Sequence, residues 1–226
     1  MSDAILVEGK NIIKQFGEGS EAVIAVDNVS ISINQGELLV IMGESGSGKT
    51  TLISLLGCIL KPTSGMLTID GTEIDYDNQD MSLVRREKVG FVFQLFNLIP
   101  YLTALENVII AMDINGVKGP EAEDRARELL KMVGLSDRLN HRPSQLSGGE
   151  QQRVSFARSL ANHPRIVFAD EPTANLDSKN SASIMSLVES LCRELNTAFV
   201  VVTHDAQLRK SADRIIEMAD GRILDA

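Results

Sequence analysis

The chain has 226 residues, 43% of them hydrophobic, and a formal net charge of −9 at pH 7. This length suits one large domain or a core with an inserted subdomain, and the apolar content is ample for a packed interior. The negative balance argues against non-specific nucleic-acid binding and against direct docking on anionic lipid, because both need a basic surface. We therefore expect no nucleic-acid partner.

Targeting and redox features are sparse. No apolar run approaches the roughly 18–20 residues that a membrane-spanning helix needs. The first residues, M-S-D-A-I-L-V-E, lack the basic start of a signal peptide. Cys58 and Cys192 stand alone in apolar helical stretches, which indicates packing roles in a reducing compartment rather than a metal site. These features predict a cytoplasmic chain.

The chain begins with two predicted strands, 4–16 and 22–34, joined by a turn at 17–20. Phe16 ends the first strand, and the whole sequence has only nine aromatic residues, two Tyr and seven Phe. Two interpretations fit an aromatic side chain beside this turn. It either packs on the hairpin or offers a flat surface on which a purine base stacks.

A glycine-rich segment follows the short apolar run 37–42. Residues 43–51 read G-E-S-G-S-G-K-T-T and fit the P-loop pattern G-x-x-x-x-G-K-[ST]. Such a loop turns backbone N–H groups toward phosphate oxygens, while its lysine reaches the terminal phosphates and its hydroxyl holds Mg²⁺. The apolar spacing over 50–60 predicts the helix that must start where the loop ends. The expected phosphate-binding residues are Gly43, Ser45, Gly46, Ser47, Gly48, Lys49, Thr50 and Thr51.

The middle of the chain changes from strands to helices. We predict a strand at 66–71, a short helix at 80–88 and a buried strand at 89–93 that ends at Gln94. Thr103 and Glu106 then form a capping box before an apolar helix, Pro120 starts another helix that runs to Val133, and 148–161 is helical. This organisation predicts a single domain, 1–226, with a core of 1–94 and 163–226 and a helical subdomain at 95–162.

The core resumes with two uniformly apolar runs, 166–169 and 199–202, of the kind found in strands buried on both faces. A helical stretch at 178–195 separates them and predicts a β-α-β crossover. Short closing strands are expected at 215–218 and 222–224. The fold class is α/β, with the P-loop placed between a strand and a helix.

Two carboxylates end the first of these strands, in the segment I-V-F-A-D-E at 166–171. Phosphoryl transfer to water needs a carboxylate for Mg²⁺ and a group that orients and deprotonates the attacking water. We expect Asp170 to face the metal and Glu171 to act as the base. The alternative is an inert acidic turn before Pro172.

His204 and Gln94 also follow strand ends. His204 is a candidate hydrogen-bond donor to the γ-phosphate, and the alternative is a capping or packing histidine. Gln94 is neutral and suits a reversible contact with Mg²⁺, and the alternative is an ordinary loop glutamine. Both would lie with the P-loop if the strands are parallel.

A second anion-binding feature is present at 146–153, L-S-G-G-E-Q-Q-R. Ser147 and Glu150 form an S-x-x-E capping box at a predicted helix start, while Gly148 and Gly149 leave backbone amides uncovered. The alternative is a well-capped helix start that binds no ligand. Spacing alone does not say what this helix start binds.

This segment resembles the signature of ATP-binding-cassette (ABC) ATPases, and the other motifs follow in that family's order over the whole chain. The resemblance implies a RecA-like P-loop NTPase core with a mixed, mainly parallel sheet, an N-terminal antiparallel β subdomain and an inserted helical subdomain. It implies ATP and Mg²⁺ as ligands, with Thr50, Gln94 and Asp170 at the metal and Phe16 on adenine. Glu171 would be the catalytic base.

The family pattern further implies a head-to-tail pair of chains. Each ATP would contact one P-loop and the other chain's Ser147, Gly148, Gly149 and Glu150, with Asp177 in the loop that couples the two sites. Three minor departures are present: Glu44 puts an acid inside the P-loop, where it should face away from phosphate, glutamine is common at the position of Glu150, and tyrosine is common at that of Phe16. The segments 85–100, 103–108 and 200–205 resemble the lipoprotein-release, macrolide-export and cell-division branch.

We therefore expect an ATPase subunit of a membrane ABC complex, held at the inner face of the cell membrane by a transmembrane permease subunit. The expected docking segment is Gln94–Leu102, where apolar side chains lie in a loop-like stretch; the alternative is that they belong to the subdomain core. Two rival classes stay open: a cell-division-type regulator of extracytoplasmic cell-wall enzymes, and a soluble ABC ATPase of DNA repair or translation. The second is disfavoured by the acidic charge and the lack of added coiled-coil or zinc segments.

Overall fold

The computed structural model describes residues 4–204, 210 and 212–224. Two sheets and six α-helices make up this part of the chain. The strands are β1 (Ile5–Phe16), β2 (Val23–Asn34), β3 (Leu38–Met42), β4 (Ser64–Ile69), β5 (Thr72–Glu73), β6 (Val89–Val92), β7 (Ile166–Asp170), β8 (Ala198–Thr203), β9 (Arg214–Ala219) and β10 (Arg222–Leu224). The helices are α1 (Lys49–Leu56), α2 (Met81–Lys88), α3 (Ala104–Ile114), α4 (Pro120–Met132), α5 (Gly148–Ser159) and α6 (Ser178–Leu195).

The larger sheet has six strands in the order β10-β9-β3-β8-β7-β6. The neighbours from β9 to β6 are parallel, and only β10 pairs antiparallel with β9. The smaller sheet has the order β2-β1-β4-β5 and is antiparallel. The predicted mixed, mainly parallel core and the antiparallel N-terminal sheet are therefore confirmed.

Alternation along the central strands divides the interior into two hydrophobic cores. Leu38, Val40 and Met42 of β3 pack on one face with residues of α3 to α6, whereas Leu39 and Ile41 pack on the other face with α1 and the antiparallel sheet. All five β3 residues are at most 5% exposed, so the strand is buried on both sides, as its continuous apolar sequence predicts. The sheet thus holds its loops on a rigid base.

The helix after the P-loop is shorter than its sequence pattern indicates. The predicted span 50–60 is wrong at its end, because α1 stops at Leu56. Gly57 lies against the Phe91 ring, where a Cβ would come within 2.1 Å of Cζ, and Cys58 has a φ of 58°. Arg85 donates to the Cys58 carbonyl at 2.8 Å. The apolar spacing continues past the helix because Cys58 is buried and Leu60 packs against the core, not because they are helical, whereas Ile59 is 43% exposed.

Most other elements lie within one or two residues of their predicted bounds. The capping box of α3 is present in both directions, with Glu106 N donating to Thr103 Oγ1 and Thr103 N donating to Glu106 Oε2. Pro120 starts α4 and Gly134 follows its end. Among the residues that the structure describes, no helix is long and apolar enough to cross a bilayer.

Candidate nucleotide site

The carboxyl ends of four parallel strands meet at one edge of the larger sheet. The P-loop follows β3, Gln94 follows β6, and His204 follows β8; Asp170 ends β7 and Glu171 comes directly after it. A cavity of about 630 Å³ lies there. Its lining comprises Ala25, Glu44, Ser45, Gly46, Gly48, Lys49, Thr50, Thr51, Gln94, Asp170, Glu171, Ala174 and His204. Parallel strands account for this convergence, since all their carboxyl ends point the same way.

Two P-loop glycines are required by the backbone around them. Gly48 has a φ of 97° and caps α1, and a Cβ there would lie 2.2 Å from the carbonyl oxygen of Ala25. A Cβ on Gly43 would lie 2.3 Å from the carbonyl oxygen of Met218. Gly46, with a φ of 84°, has no heavy atom within 4 Å of its ideal Cβ, so the loop is open at this position. This geometry fits a loop whose backbone approaches a phosphate closely.

Lys49 begins α1 and is only 6% exposed. Its Nζ donates to the carbonyl oxygens of Gly43 at 2.8 Å and Glu44 at 2.7 Å, and lies 3.3 Å from Ser47 Oγ. The ammonium group is therefore held inside the turn of the loop, at the N-terminus of a helix. Backbone amides, the helix dipole and a buried cation together favour an anion at this point.

Thr50 and Asp170 bring two oxygen ligands together from different elements. Thr50 Oγ1 donates to Asp170 Oδ1 at 2.9 Å. Partial burial and the charge of neighbouring Glu171 raise the pKa of Asp170, and the Thr50 hydrogen bond opposes this. A hydroxyl and a carboxylate are the donors that Mg²⁺ prefers, and a cation would offset the cost of the partly buried charge. The residues present therefore fit a magnesium ion.

Glu171 has an unusual conformation. Its φ is 46°, in the left-handed region, and its amide donates to Val202 O at 2.9 Å. Oε1 lies 2.9 Å from Nδ1 of His204, while the buried Oε2 has no hydrogen-bond partner among the described residues. Strained backbone and an unmet buried oxygen are typical of functional residues. Sequence analysis predicted that His204 donates to the γ-phosphate, which stays a prediction; in the structure its imidazole lies against the carboxylate of Glu171.

Two residues that sequence analysis did not single out hold the segment after Gln94. Asn175 Nδ2 donates to the Gln94 carbonyl at 2.9 Å. Arg158, at the end of α5, donates to the carbonyls of Asn97 at 2.7 Å and Phe96 at 3.0 Å. These contacts cannot be predicted from the local sequence, because each donor meets a backbone carbonyl 61 to 81 residues away in the chain.

The segment 147–150 starts α5 outside the P-loop cavity. Ser147 is the N-cap, and the capping box with Glu150 is complete. Glu150 Oε2 accepts from Ser147 N at 2.9 Å and Ser147 Oγ at 2.8 Å, and hydrogen bonds from the Ser147 amide and hydroxyl lower the pKa of Glu150. Neither this segment nor Asp177, the N-cap of α6, lines the cavity. Gly149 is buried against Asn180.

Phe16 ends β1 opposite Val23 of β2 and is 43% exposed. The ammonium of Lys14 lies 5.1 Å from its ring centroid. Both interpretations of this residue find support, since the ring belongs to the hairpin and yet keeps an exposed surface. Phe16 is not part of the cavity lining, so its stacking on a base stays a prediction.

A P-loop between β3 and α1, with a carboxylate pair at the end of a nearby parallel strand, defines a P-loop nucleotide hydrolase. A family model described as "ABC transporter" matches residues 26–174. The ABC transporter ATP-binding protein MJ0796 of Methanocaldococcus jannaschii is 47% identical over 96% of this chain and 95% of its own length. The chain therefore belongs to the ABC transporter family, as its ATP-binding domain.

Solved structures agree with this assignment. The dimeric structure of a post-hydrolysis state of MJ0796 bound to ADP and Pi is 46% identical and has a TM-score of 0.87, covering 97% of each chain. The structure of cbiO1 from Clostridium perfringens, part of the cbiONQ ABC transporter complex, is 28% identical with a TM-score of 0.87, covering 98% of this chain and 87% of that one. The chain is accordingly an ATP-binding cassette and an ATPase.

Proposed function

We propose that two copies of this chain bind ATP and Mg²⁺, close head to tail, and drive a conformational change in a transmembrane partner. The observation that carries this proposal is the separation of two phosphate-binding elements within one chain. The P-loop lines the nucleotide cavity, whereas the capped start of α5 does not. A second copy related by two-fold symmetry would supply the missing element to each site. The relative MJ0796 forms a dimer in its solved structures.

Within the site, we propose the following roles from the geometry of the cavity and from the family resemblance. Lys49 and the P-loop amides bind phosphate oxygens, and Thr50, Asp170 and Gln94 would hold Mg²⁺. The metal would neutralise charge on the phosphates. Glu171 accepts a proton from the attacking water at the carboxylate, and His204 fixes that carboxylate through Nδ1. Ser147, Gly148, Gly149 and Glu150 form the partner chain's share of the site, next to Asp177.

The catalytic and dimer assignments are tested together by Glu171→Gln. Amide replaces carboxylate at nearly equal volume, so ATP binding persists while proton transfer is lost. We expect turnover to fall by about 10²–10⁴-fold and ATP–Mg²⁺ to shift the chain from monomer to dimer in size-exclusion chromatography with light scattering. Glu189→Gln, an exposed residue of α6, is the matched control and keeps wild-type turnover. Unchanged turnover in Glu171→Gln, with monomer only, would contradict both assignments.

Ser147→Arg tests whether the start of α5 acts on the partner's nucleotide. The added bulk and charge block the dimer contact but lie outside the chain's own cavity. We expect ATP-driven dimerisation to disappear while a fluorescent ATP analogue still binds the monomer. Ser186→Arg, at an exposed position of α6, is the control. Loss of monomer binding in Ser147→Arg would contradict action in trans.

The segment Gln94–Leu102 is the proposed docking surface for the membrane partner. Leu95 is 73% and Tyr101 82% exposed, whereas Leu98 packs on the core. Ile99 of the same segment is also exposed, and a group of exposed apolar side chains, unlike a single one, is typical of protein contacts. We expect Leu95→Asp with Tyr101→Asp to abolish co-purification of a membrane protein from detergent extracts and to leave basal turnover unchanged. Leu224→Asp, 48% exposed on β10, is the control, and retained co-purification in the double variant would refute the surface.

The family membership of the partner distinguishes transport from regulation. A chain that closes on ATP at the inner face of the membrane serves an exporter, a lipoprotein-release system or a regulator of extracytoplasmic enzymes equally well. We place this chain in the branch that moves large extracytoplasmic domains, on the resemblance of segments 85–100, 103–108 and 200–205. Mass-spectrometric identification of the co-purified membrane protein tests this placement, and a partner with a multi-helix transport pore would contradict it.

A further inference from the structure

The capping box of α5 uses one oxygen of Glu150 and leaves the other for a different partner. Oε2 accepts from the Ser147 amide and hydroxyl, which completes the box. Oε1 accepts from Nε of Arg138 at 2.9 Å. Arg138 lies in the short 3₁₀ turn Ser136–Arg138, outside α5. The ion pair is therefore not needed to start the helix.

The α3 helix of the same chain gives an internal comparison. Its box is built in the same way, with Glu106 Oε2 accepting from Thr103 N at 2.8 Å and Thr103 Oγ1 at 2.9 Å. Among the described residues, no arginine or lysine forms an ion pair with Glu106; only the more distant charge of Arg142 contributes to lowering its pKa. A direct arginine contact is therefore present at the Glu150 box and not at the Glu106 box.

Glu150 creates an electrostatic problem for a helix start that must meet a phosphate. A carboxylate one turn into the helix opposes the attraction that the amides and dipole exert on an anion. It also takes the single hydroxyl proton of Ser147, which is the proton that Ser147 would donate to a phosphate oxygen. A glutamine at this position would carry no such charge.

We propose that Arg138 is a positioning residue for trans nucleotide binding: it neutralises Glu150 so that the start of α5 can accept the γ-phosphate held by the partner copy. The proposal rests on the head-to-tail dimer of the proposed function. The ion pair draws negative charge toward Oε1, which weakens the hold of Oε2 on the Ser147 hydroxyl. Arg138 itself lies outside the P-loop cavity and acts through Glu150.

The test is a double-mutant cycle in the Glu171→Gln background. The variants are Arg138→Gln, Glu150→Gln and the two combined, with Arg127→Gln as a control that removes another exposed helical-subdomain ion pair, Arg127–Glu123. Sedimentation equilibrium with ATP–Mg²⁺ gives the dimer Kd. A fluorescent ATP analogue gives binding to the monomer's own P-loop.

We expect Arg138→Gln to weaken ATP-driven dimerisation by about tenfold or more, because each dimer would then contain two Glu150 carboxylates without their arginine partner. Monomer nucleotide binding stays unchanged. Adding Glu150→Gln removes the charge and restores the dimer Kd to within about threefold of its parent, and Arg138→Lys keeps most of the affinity. Arg127→Gln leaves the dimer Kd unaltered.

Each other outcome overturns a specific statement. If the Glu171→Gln parent does not dimerise, the proposed function fails. If the parent dimerises and Arg138→Gln dimerises equally well, the role of Arg138 is wrong. If Arg138→Gln weakens the dimer and the added Glu150→Gln does not rescue it, the arginine is structural and the proposal is refuted. The same conclusion follows if thermal unfolding shows that Arg138→Gln and the double variant are equally destabilised.

Discussion

At the residue scale, the proposed catalytic edge of the sheet contains two groups whose conformation or burial lowers the stability of the folded state. Asp170 is a half-buried carboxylate beside a second one, and Glu171 adopts a left-handed backbone with a φ of 46°. Neither arrangement favours the folded state, which is consistent with the proposed roles of both residues in binding Mg²⁺ and activating water. Removal of a charge here should separate stability from activity.

We predict that Asp170→Asn stabilises the chain and abolishes its turnover. Because burial raises the pKa of Asp170 above its unfolded value, ionisation in the folded state lowers stability, and this loss appears as pH rises through the raised pKa. The neutral amide can still accept from Thr50. We expect the melting temperature at pH 7 to rise by about 2–4 °C and ATP turnover to fall at least about 100-fold.

Asp124→Asn, on the exposed side of α4, is the control for this prediction. It should shift the melting temperature by no more than about 1 °C and leave the turnover unchanged, since substitutions at exposed positions have small effects. A lower melting temperature for Asp170→Asn would show that its carboxylate stabilises the fold. Differential scanning calorimetry and a phosphate-release assay provide the two measurements.

At the element scale, helix starts are set by short polar motifs. The boxes Thr103/Glu106 and Ser147/Glu150 are visible in the sequence and present in the structure. We predict that Thr103→Ala lowers the free energy of unfolding by about 1 kcal/mol, because it removes the acceptor for the Glu106 amide and a donor to the Glu106 carboxylate. Urea titration followed by circular dichroism measures the loss. Thr103→Ser retains the hydroxyl and should remain within about 0.5 kcal/mol of wild type.

Arg158 links α5 to the segment after Gln94 by two hydrogen bonds. Phe96 and Asn97 have φ values of 58° and 51°, and Arg158 donates to both of their carbonyls. Burial lowers the pKa of Arg158, as expected for a cation surrounded by protein. The contact holds a strained turn in place beside the proposed docking surface.

We predict that Arg158→Met loosens this turn and lowers the unfolding free energy by about 2–3 kcal/mol, because two carbonyls lose charged donors. Limited proteolysis should cut between residues 95 and 101 faster than in wild type, with fragments identified by mass spectrometry. Arg158→Lys supplies a single ammonium, so its cleavage rate should lie between those of wild type and Arg158→Met. An unchanged cleavage rate in Arg158→Met would show that other contacts hold the turn.

At the scale of the whole molecule, stability should be lost in acid through its capping carboxylates. Hydrogen bonds from the Ser82 hydroxyl, the Thr103 amide and the Asn180 amide lower the pKa values of Asp80, Glu106 and Asp177, respectively. A carboxyl whose folded pKa lies below its unfolded value stabilises above the unfolded pKa and loses that contribution as pH falls through the folded pKa. Asp170 acts in the opposite direction.

We therefore predict a free energy of unfolding that falls slightly as pH drops through about 6.5, because burial lowers the pKa of His163 in the folded state, and that falls more steeply below the ordinary values of 3.8 for Asp and 4.5 for Glu. Urea titrations at successive pH values test this. The variant Glu106→Gln should be less stable at pH 7 but show a shallower decline in acid. Equal slopes for both chains would show that Glu106 does not take part.

The sequence predicted most of the fold because its signals are local. Apolar strands buried on both faces, capping boxes and glycine turns depend on neighbouring residues, and β3, α3, α4 and α6 lie close to their predicted bounds. The predicted end of α1 was wrong because apolar spacing does not distinguish a helix from an irregular segment that packs against the core. The packing of Phe91 on Gly57 decides that point across 34 residues of chain.

The sequence by itself determined which chemical groups are available: a phosphate-binding loop, a carboxylate pair at a strand end, and a second capped helix start. Their residue types and spacings belong to the primary structure and do not depend on how the chain folds. The tertiary structure decided which groups meet, because pairs such as Thr50–Asp170, Glu171–His204 and Arg138–Glu150 join separate elements. It also placed the α5 helix start outside the P-loop cavity. Only sheet order and packing set that separation, which is the physical reason to expect a second copy.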